Sequence, residues 1–185
     1  QINKTNVGRL EVAWTYPFAD TIFTPVAARG VVYGRGRNGA IVAFPTDSCY
    51  ALGCHLGDRE ALDRIRQIRQ IDERHHLTLM VRDLSEIAHF ARVDNAQYRL
   101  LKATTPGSYT FILEGSKELP RRVMHPKRKT IGLRVPDHPV ALALLEELNE
   151  PLLTTTLQLP GEEFPLTEGW EIQDRLEDHL ELILD

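Results

Sequence analysis

From residue 41 onward, short β-branched and aliphatic runs alternate with stretches at helical spacing, and this alternation limits the fold more than any other feature of the chain. Strand-type segments are expected at residues 40–44, 77–81, 109–113, 130–135, 152–157 and 180–184. Helix-type segments are expected at residues 60–71, 83–90, 95–103, 139–148 and 172–179. Asp58 can cap the first helix, and Leu62, Ile65 and Ile68 give it one apolar face. Asp83 opens the second, and Pro106-Gly107 breaks the chain after the third. The pattern predicts an α/β fold in which helices flank one mixed sheet.

Residues 1–40 carry different chemistry. β-branched and aromatic residues at 7–16, 21–26 and 31–34 are interrupted by Pro17, Arg29-Gly30 and the polar run 35–39. That is strand-and-turn composition with no helical period, a β-rich segment too short to be a domain of its own. A chain of 185 residues is therefore expected to hold one domain at 41–185 plus a fragment at 1–40.

Charge narrows the function classes. The formal net charge is −4, so nucleic-acid binding would need a local patch. One exists at residues 120–129, where Arg121, Arg122, Lys127, Arg128 and Lys129 are concentrated. It reads either as a solvated loop or as an anion or RNA contact, also able to line a cavity beside Arg134. The two cysteines, Cys49 and Cys54, lack disulfide-framework or zinc spacing and read as small buried thiols. His75-His76 has no cysteine or carboxylate at ligand spacing, so no protein-bound metal is expected. No apolar run approaches the ~20 residues of a membrane helix and no signal peptide is visible, so no membrane partner and a cytoplasmic location are expected.

The sharpest motif is Phe44-Pro45-Thr46-Asp47-Ser48-Cys49-Tyr50-Ala51-Leu52-Gly53. A buried strand runs into proline and then into hydroxyls and a carboxylate. Such sheet edges commonly hold ligands in α/β proteins. The plainer reading is a strand-turn capped by Thr46 and Asp47.

This segment resembles the Pro-Thr-Asp-Thr-x-Tyr-Gly-Leu-Gly signature of the YrdC-like family of threonylcarbamoyl-adenylate synthases. Pro106-Gly107-Ser108-Tyr109-Thr110 resembles that family's Pro-Gly-x-x-Thr element, and Ile131-Gly132-Leu133-Arg134-Val135-Pro136-Asp137-His138 its Val-Gly-x-Arg-x-Pro-x-His element. All three stand in the family's order. Arg69-Gln70 and residues 77–85 are most similar to the YciO-like branch. The resemblance covers residues 41–185 and implies a twisted mixed sheet flanked by helices.

By resemblance, Thr46, Ser48, Tyr50, Thr110, Thr130 and Thr156 are expected to bind substrate. Arg69 and Arg134 are expected to be catalytic, Arg134 facing an anionic group with its planar fork. The implied reaction joins threonine, bicarbonate and ATP, with Mg2+ carried by the nucleotide, in the service of tRNA threonylcarbamoyladenosine modification. The alternative is a non-catalytic module of the same fold that binds double-stranded RNA, tRNA or a nucleotide. Departures from the family pattern favour it. Ile71 and Asp72 stand where synthases carry the arginine and proline of Lys-x-Arg-Pro, and Thr156-Leu157-Gln158 stands in place of Ser-Ala-Asn. The family also continues with a strand beyond Asp185, so the domain is expected to be incomplete. Residues 1–40 resemble a blade segment of a pyrroloquinoline-quinone dehydrogenase propeller, which suggests a chimera.

Overall fold

The computed structural model describes residues 26–28, 31–33 and 39–185. The chain divides into two compact units, residues 1–37 and 38–185. In the first, β1 (Val26–Ala28) and β2 (Val31–Tyr33) pair antiparallel. The rest of the propeller-like run, and the chimera reading with it, lies outside the described residues.

The second unit is built on a sheet of eight strands in the order β10-β3-β4-β9-β5-β8-β7-β6. Its strands are β3 (Val42–Pro45), β4 (Tyr50–His55), β5 (Thr78–Met80), β6 (Ala91–Arg92), β7 (Phe111–Gly115), β8 (Thr130–Arg134), β9 (Leu152–Thr156) and β10 (Leu182–Ile183). The pairs β10/β3 and β5/β8 are parallel and the others antiparallel, so the sheet is mixed as expected. β3 lies between β10 and β4, away from β7 and β8.

Five helices join these strands: α1 (Arg59–Arg69), α2 (Leu84–Phe90), α3 (Asn95–Thr104), α4 (Pro139–Leu148) and α5 (Gly169–Leu176). Their starts follow from local chemistry. The Asp58 carboxylate accepts from Ala61 N, and Asp83 accepts from the backbone of Ser85 and Glu86. Asp94 forms a capping box with Gln97 that the composition alone did not single out. Pro139 sits at the first turn of α4, where its missing N–H costs nothing.

The departure from expectation is β4. The sequence pattern offers a ligand-holding sheet edge or a capped turn after Pro45, and no strand at residues 50–55. Instead the chain reverses over Asp47–Cys49, Thr46 N donating to Cys49 O at 3.1 Å, and returns as a strand with Pro45 opposite Tyr50. Residues 50–54 are all buried. A strand buried on both faces shows no alternation, which is why period-2 reasoning passes over it.

Strand alternation gives the sheet two unlike faces. One carries Leu52, Leu79, Ile131, Leu133 and Leu153 against Leu62 and Ile65 of α1, Ile87 of α2, Leu101 of α3 and Ile172 of α5. The other carries Phe44, Ala51, Met80 and Leu152, packed against Ala141 and Leu145 of α4. Each such aliphatic side chain, fully buried, contributes roughly 1.5–3 kcal/mol. α4 covers only part of its face. Beyond it that face bears Thr78, Gly132, Arg134, Thr154 and Thr156, by the same alternation. No helix among the described residues is long and apolar enough to cross a membrane.

Candidate functional site

The uncovered half of the sheet forms a cavity of about 40 Å3 whose lining includes Thr46, Ser48, Cys49, Tyr50, Thr78, Thr110, Arg134 and Thr154 to Thr156. Gly132 stands beside two of the lining residues, Thr78 and Thr110. A Cβ there would stand 2.9 Å from Leu77 O, Thr110 Cγ2 and Thr78 Oγ1, so glycine is what lets β5 and the entry to β7 close in. Thr154 Oγ1 donates to Thr78 O at 2.9 Å and ties β9 to β5 beside the cavity.

Arg134 supplies the charge. It ends β8, is 9% exposed, and donates from Nη2 to Asp47 Oδ1 and from Nη1 to Ser48 Oγ at 3.1 Å. The partners lie 86 and 87 residues away, brought together by the β3–β4 turn. Arg134 Nε and Asp47 Oδ2 are buried without a hydrogen-bond partner. A buried ion pair left half-satisfied is costly, and a ligand that completes it recovers that cost.

Thr46 serves the turn. Its hydroxyl donates to Cys49 O at 2.7 Å and accepts from the Ser48 and Cys49 amides at 3.3 and 3.4 Å. The plainer capping reading therefore describes Thr46, while Ser48 faces Arg134. Tyr50 is buried and its hydroxyl donates to Asp185 Oδ1 at 2.6 Å. Burial, then the neighbouring Asp185, raises the phenol above its ordinary value. Thr110 and Thr156 both reach the cavity.

Arg69 does not line the cavity but stands close to its wall. At the end of α1, it donates to the Gln158 carbonyl, just past Thr156, and its Nε is buried and unpartnered. Burial lowers its pKa, opposed by the nearby Cys49. The two stretches where the synthases carry Lys-x-Arg-Pro and Ser-Ala-Asn thus meet in space, 89 residues apart in sequence.

The thiols differ. Cys54 is 2% exposed, and burial followed by Asp58 pushes it up to about 12. Cys49 is only partly buried and lines the cavity, which corrects the expectation of two buried thiols. Brief iodoacetamide treatment of the native protein at neutral pH should add one group, on Cys49, with Cys54 reacting only after denaturation. Peptide mass spectrometry reads this, and equal labelling of both in the native state contradicts it.

The remaining predicted residues lie elsewhere. Thr130 begins β8, four residues and roughly 13 Å from Arg134 along the strand. Its hydroxyl meets His76 Nε2 at 3.1 Å rather than the cavity. Arg121, Arg122, Lys127, Arg128 and Lys129 are all exposed, on the loop that enters this far end of β8. None of them lines the cavity. Arg122 donates to Gly57 O at 2.7 Å, and the Lys127 and Arg128 amides donate to His125 Nδ1 at 3.3 and 3.2 Å. The His125 ring stacks on His76 with centroids 4.9 Å apart.

Burial, with His125 and Arg128 beside it, lowers the His76 imidazole below the ordinary 6.5. Its folded-state pKa is thus depressed, so the unfolded chain takes up the proton first. Stability is whole above about pH 7 and falls as pH drops below about 6.5. His75 shifts the same way, through burial and Arg69. His76→Gln should therefore remove part of the fall in Tm between about pH 7 and 5. A variant whose profile matches the parent's contradicts the assignment to His76.

Sequence reasoning missed Asp47 as the partner of Arg134, and Thr78, Thr154 and Thr155 as cavity lining. The available signal was the run Thr154-Thr155-Thr156 in a buried strand, where hydroxyls need partners. Among the described residues no group of three or more His, Cys, Asp or Glu could hold a metal ion.

Comparison with known proteins agrees with this architecture. The Sua5/YciO/YrdC family model, described as telomere recombination, matches residues 36–185. Uncharacterized protein YciO of Escherichia coli K12 is 55% identical over 148 residues, covering 80% of this chain and 72% of that protein. Threonylcarbamoyl-AMP synthase of Vibrio vulnificus is 30% identical over 151 residues, covering 80% of each. The crystal structure of E. coli YciO superposes with a TM-score of 0.75 at 55% identity, covering 78% of this chain and 70% of that one. Pyrococcus abyssi Sua5 complexed with L-threonine superposes at 0.72 with 26% identity, over 80% of this chain and 43% of that one. With its ordered motifs, eight-stranded mixed sheet and a family match across most of its length, the chain belongs to the Sua5/YciO/YrdC family.

Proposed function

We propose that the hydroxyl-lined cavity binds threonine and that the domain forms threonylcarbamoyl-adenylate from threonine, bicarbonate and ATP for tRNA modification. The observation that carries this reading is Arg134, a buried guanidinium lining the cavity with Nε unpartnered. Its fork suits a carboxylate, and the threonines around it suit a ligand hydroxyl. The relative solved with L-threonine supports the choice of amino acid. Arg69, whose Nε is also buried and unpartnered, suits a phosphate oxygen of the nucleotide. Mg2+ would arrive on the nucleotide and neutralise its phosphates.

In this reaction threonine nitrogen joins bicarbonate carbon with loss of water. The resulting carbamate oxygen bonds to the α-phosphorus of ATP and pyrophosphate leaves. The test is pyrophosphate release by the 185-residue chain, and by one extended to its relatives' length. Release that requires both threonine and bicarbonate is expected. Threonine binding with no release from either form sinks the catalytic reading. It would leave the second one, a nucleotide- or RNA-binding module, which Ile71 in place of a second cation and the exposed basic loop at 121–129 favour.

A further inference from the structure

Arg134 is the one formally charged residue among those lining the cavity, and its counter-ion is part of the protein. Asp47 pairs with the guanidinium without itself lining the cavity, and the two side chains are 13% and 10% exposed. The subsite therefore offers directional donors at Arg134 but no net positive charge. An inorganic anion entering it would add an uncompensated charge to a space walled by hydroxyls, which burial penalises. A ligand whose carboxylate brings its own ammonium adds none.

We infer that Asp47 is a positioning residue that sets specificity: as built-in counter-ion to Arg134, it reserves the cavity for a zwitterionic α-amino acid and rejects simple anions such as phosphate. This deepens the proposed function and takes its occupant, threonine, from that reading. It also separates two tasks within the site. Amino-acid carboxylate is met at a charge-balanced arginine, whereas phosphate must be met by a cation without such a partner. Arg69 is one, since among the described residues its hydrogen bond is to the neutral carbonyl of Gln158.

The test is calorimetric titration of the full chain with L-threonine and with inorganic phosphate, for the parent, Asp47→Asn and Ser48→Ala. In the parent, phosphate at the same concentration should leave bound threonine in place. Asp47→Asn, similar in size but uncharged, should bind phosphate at least tenfold more tightly with no such gain for threonine. A purely structural role would not produce a gain. Ser48→Ala keeps the counter-ion, and so should weaken threonine without strengthening phosphate. An Asp47→Asn protein that melts cooperatively but binds phosphate within about threefold of the parent overturns the inference. So does phosphate that displaces threonine from the parent, and this measurement decides alone where the variant fails to fold. A parent that binds no threonine, alongside an Asp47→Asn variant that gains phosphate, overturns the occupant and the proposed function while upholding the counter-ion role.

Discussion

Arg134→Ala is expected to weaken threonine binding at least about 30-fold, since truncating one member of a buried hydrogen-bonded charge pair typically costs 2–5 kcal/mol. The same change should destabilise the fold by about 3–5 kcal/mol, because Asp47 is left as a buried carboxylate with no cation. Both effects have one origin. Arg134 and Asp47 are each about nine-tenths buried, and Arg134 is the group that satisfies Asp47 Oδ1. Arg134→Lys separates them. An ammonium keeps the charge but not the planar fork, so stability should return further than binding does. Titration calorimetry and thermal melting measure the two. A truncated variant that binds threonine within about threefold of the parent removes Arg134 from the site.

Phe44→Ala is expected to cost about 3–5 kcal/mol, the range for emptying a core aromatic position. Phe44 is fully buried between the sheet and α4, clustered with Ala51, Met80, Ala141, Leu145 and Leu152. Its ring edge lies where a Cβ on Gly53 would stand 2.9 Å away, so the strand backbone is shaped around it. For a domain of this size each kcal/mol lowers Tm by roughly 2–4 °C, giving a fall of about 6–20 °C. Threonine affinity of the folded fraction should change little, because Phe44 lies in the covered half of the sheet face and does not line the cavity. A Tm within about 2 °C of the parent would show that α4 repacks over the gap.

These two substitutions bear on different kinds of sequence signal. Phe44 was readable as the end of a buried strand, and Arg134 as an arginine within one. Both readings rest on short-range chemistry. The helix starts at Asp58 and Asp83 were readable for the same reason, since a capping carboxylate and the amides it accepts lie within three residues. Thr110 and Thr156 were placed by resemblance, and the structure brings both to the cavity. Thr130 shares the face of Arg134 by alternation but sits at the other end of β8. A motif that places both residues in one strand does not say which end meets the ligand. The basic loop was legible as a charge cluster, and because it ends at Lys129 it enters β8 at Thr130, the end away from Arg134.

The amino-acid order by itself determined the α/β class, the helix starts and the strand residues that share a face, while the pairing of an arginine with an anionic group came from the resemblance. The first three follow from interactions that span a few residues. Only the tertiary structure decided that β4 returns beside β3, that α4 covers part of one sheet face, and that the cavity gathers hydroxyls from β5 and β9 around Arg134 of β8. It also decided that Asp47 neutralises Arg134 from 87 residues away. Strand order and helix placement are settled by long-range burial, in which the two faces compete for cover and one partly loses. The candidate site is that uncovered remainder, closed by an ion pair that no local pattern could announce.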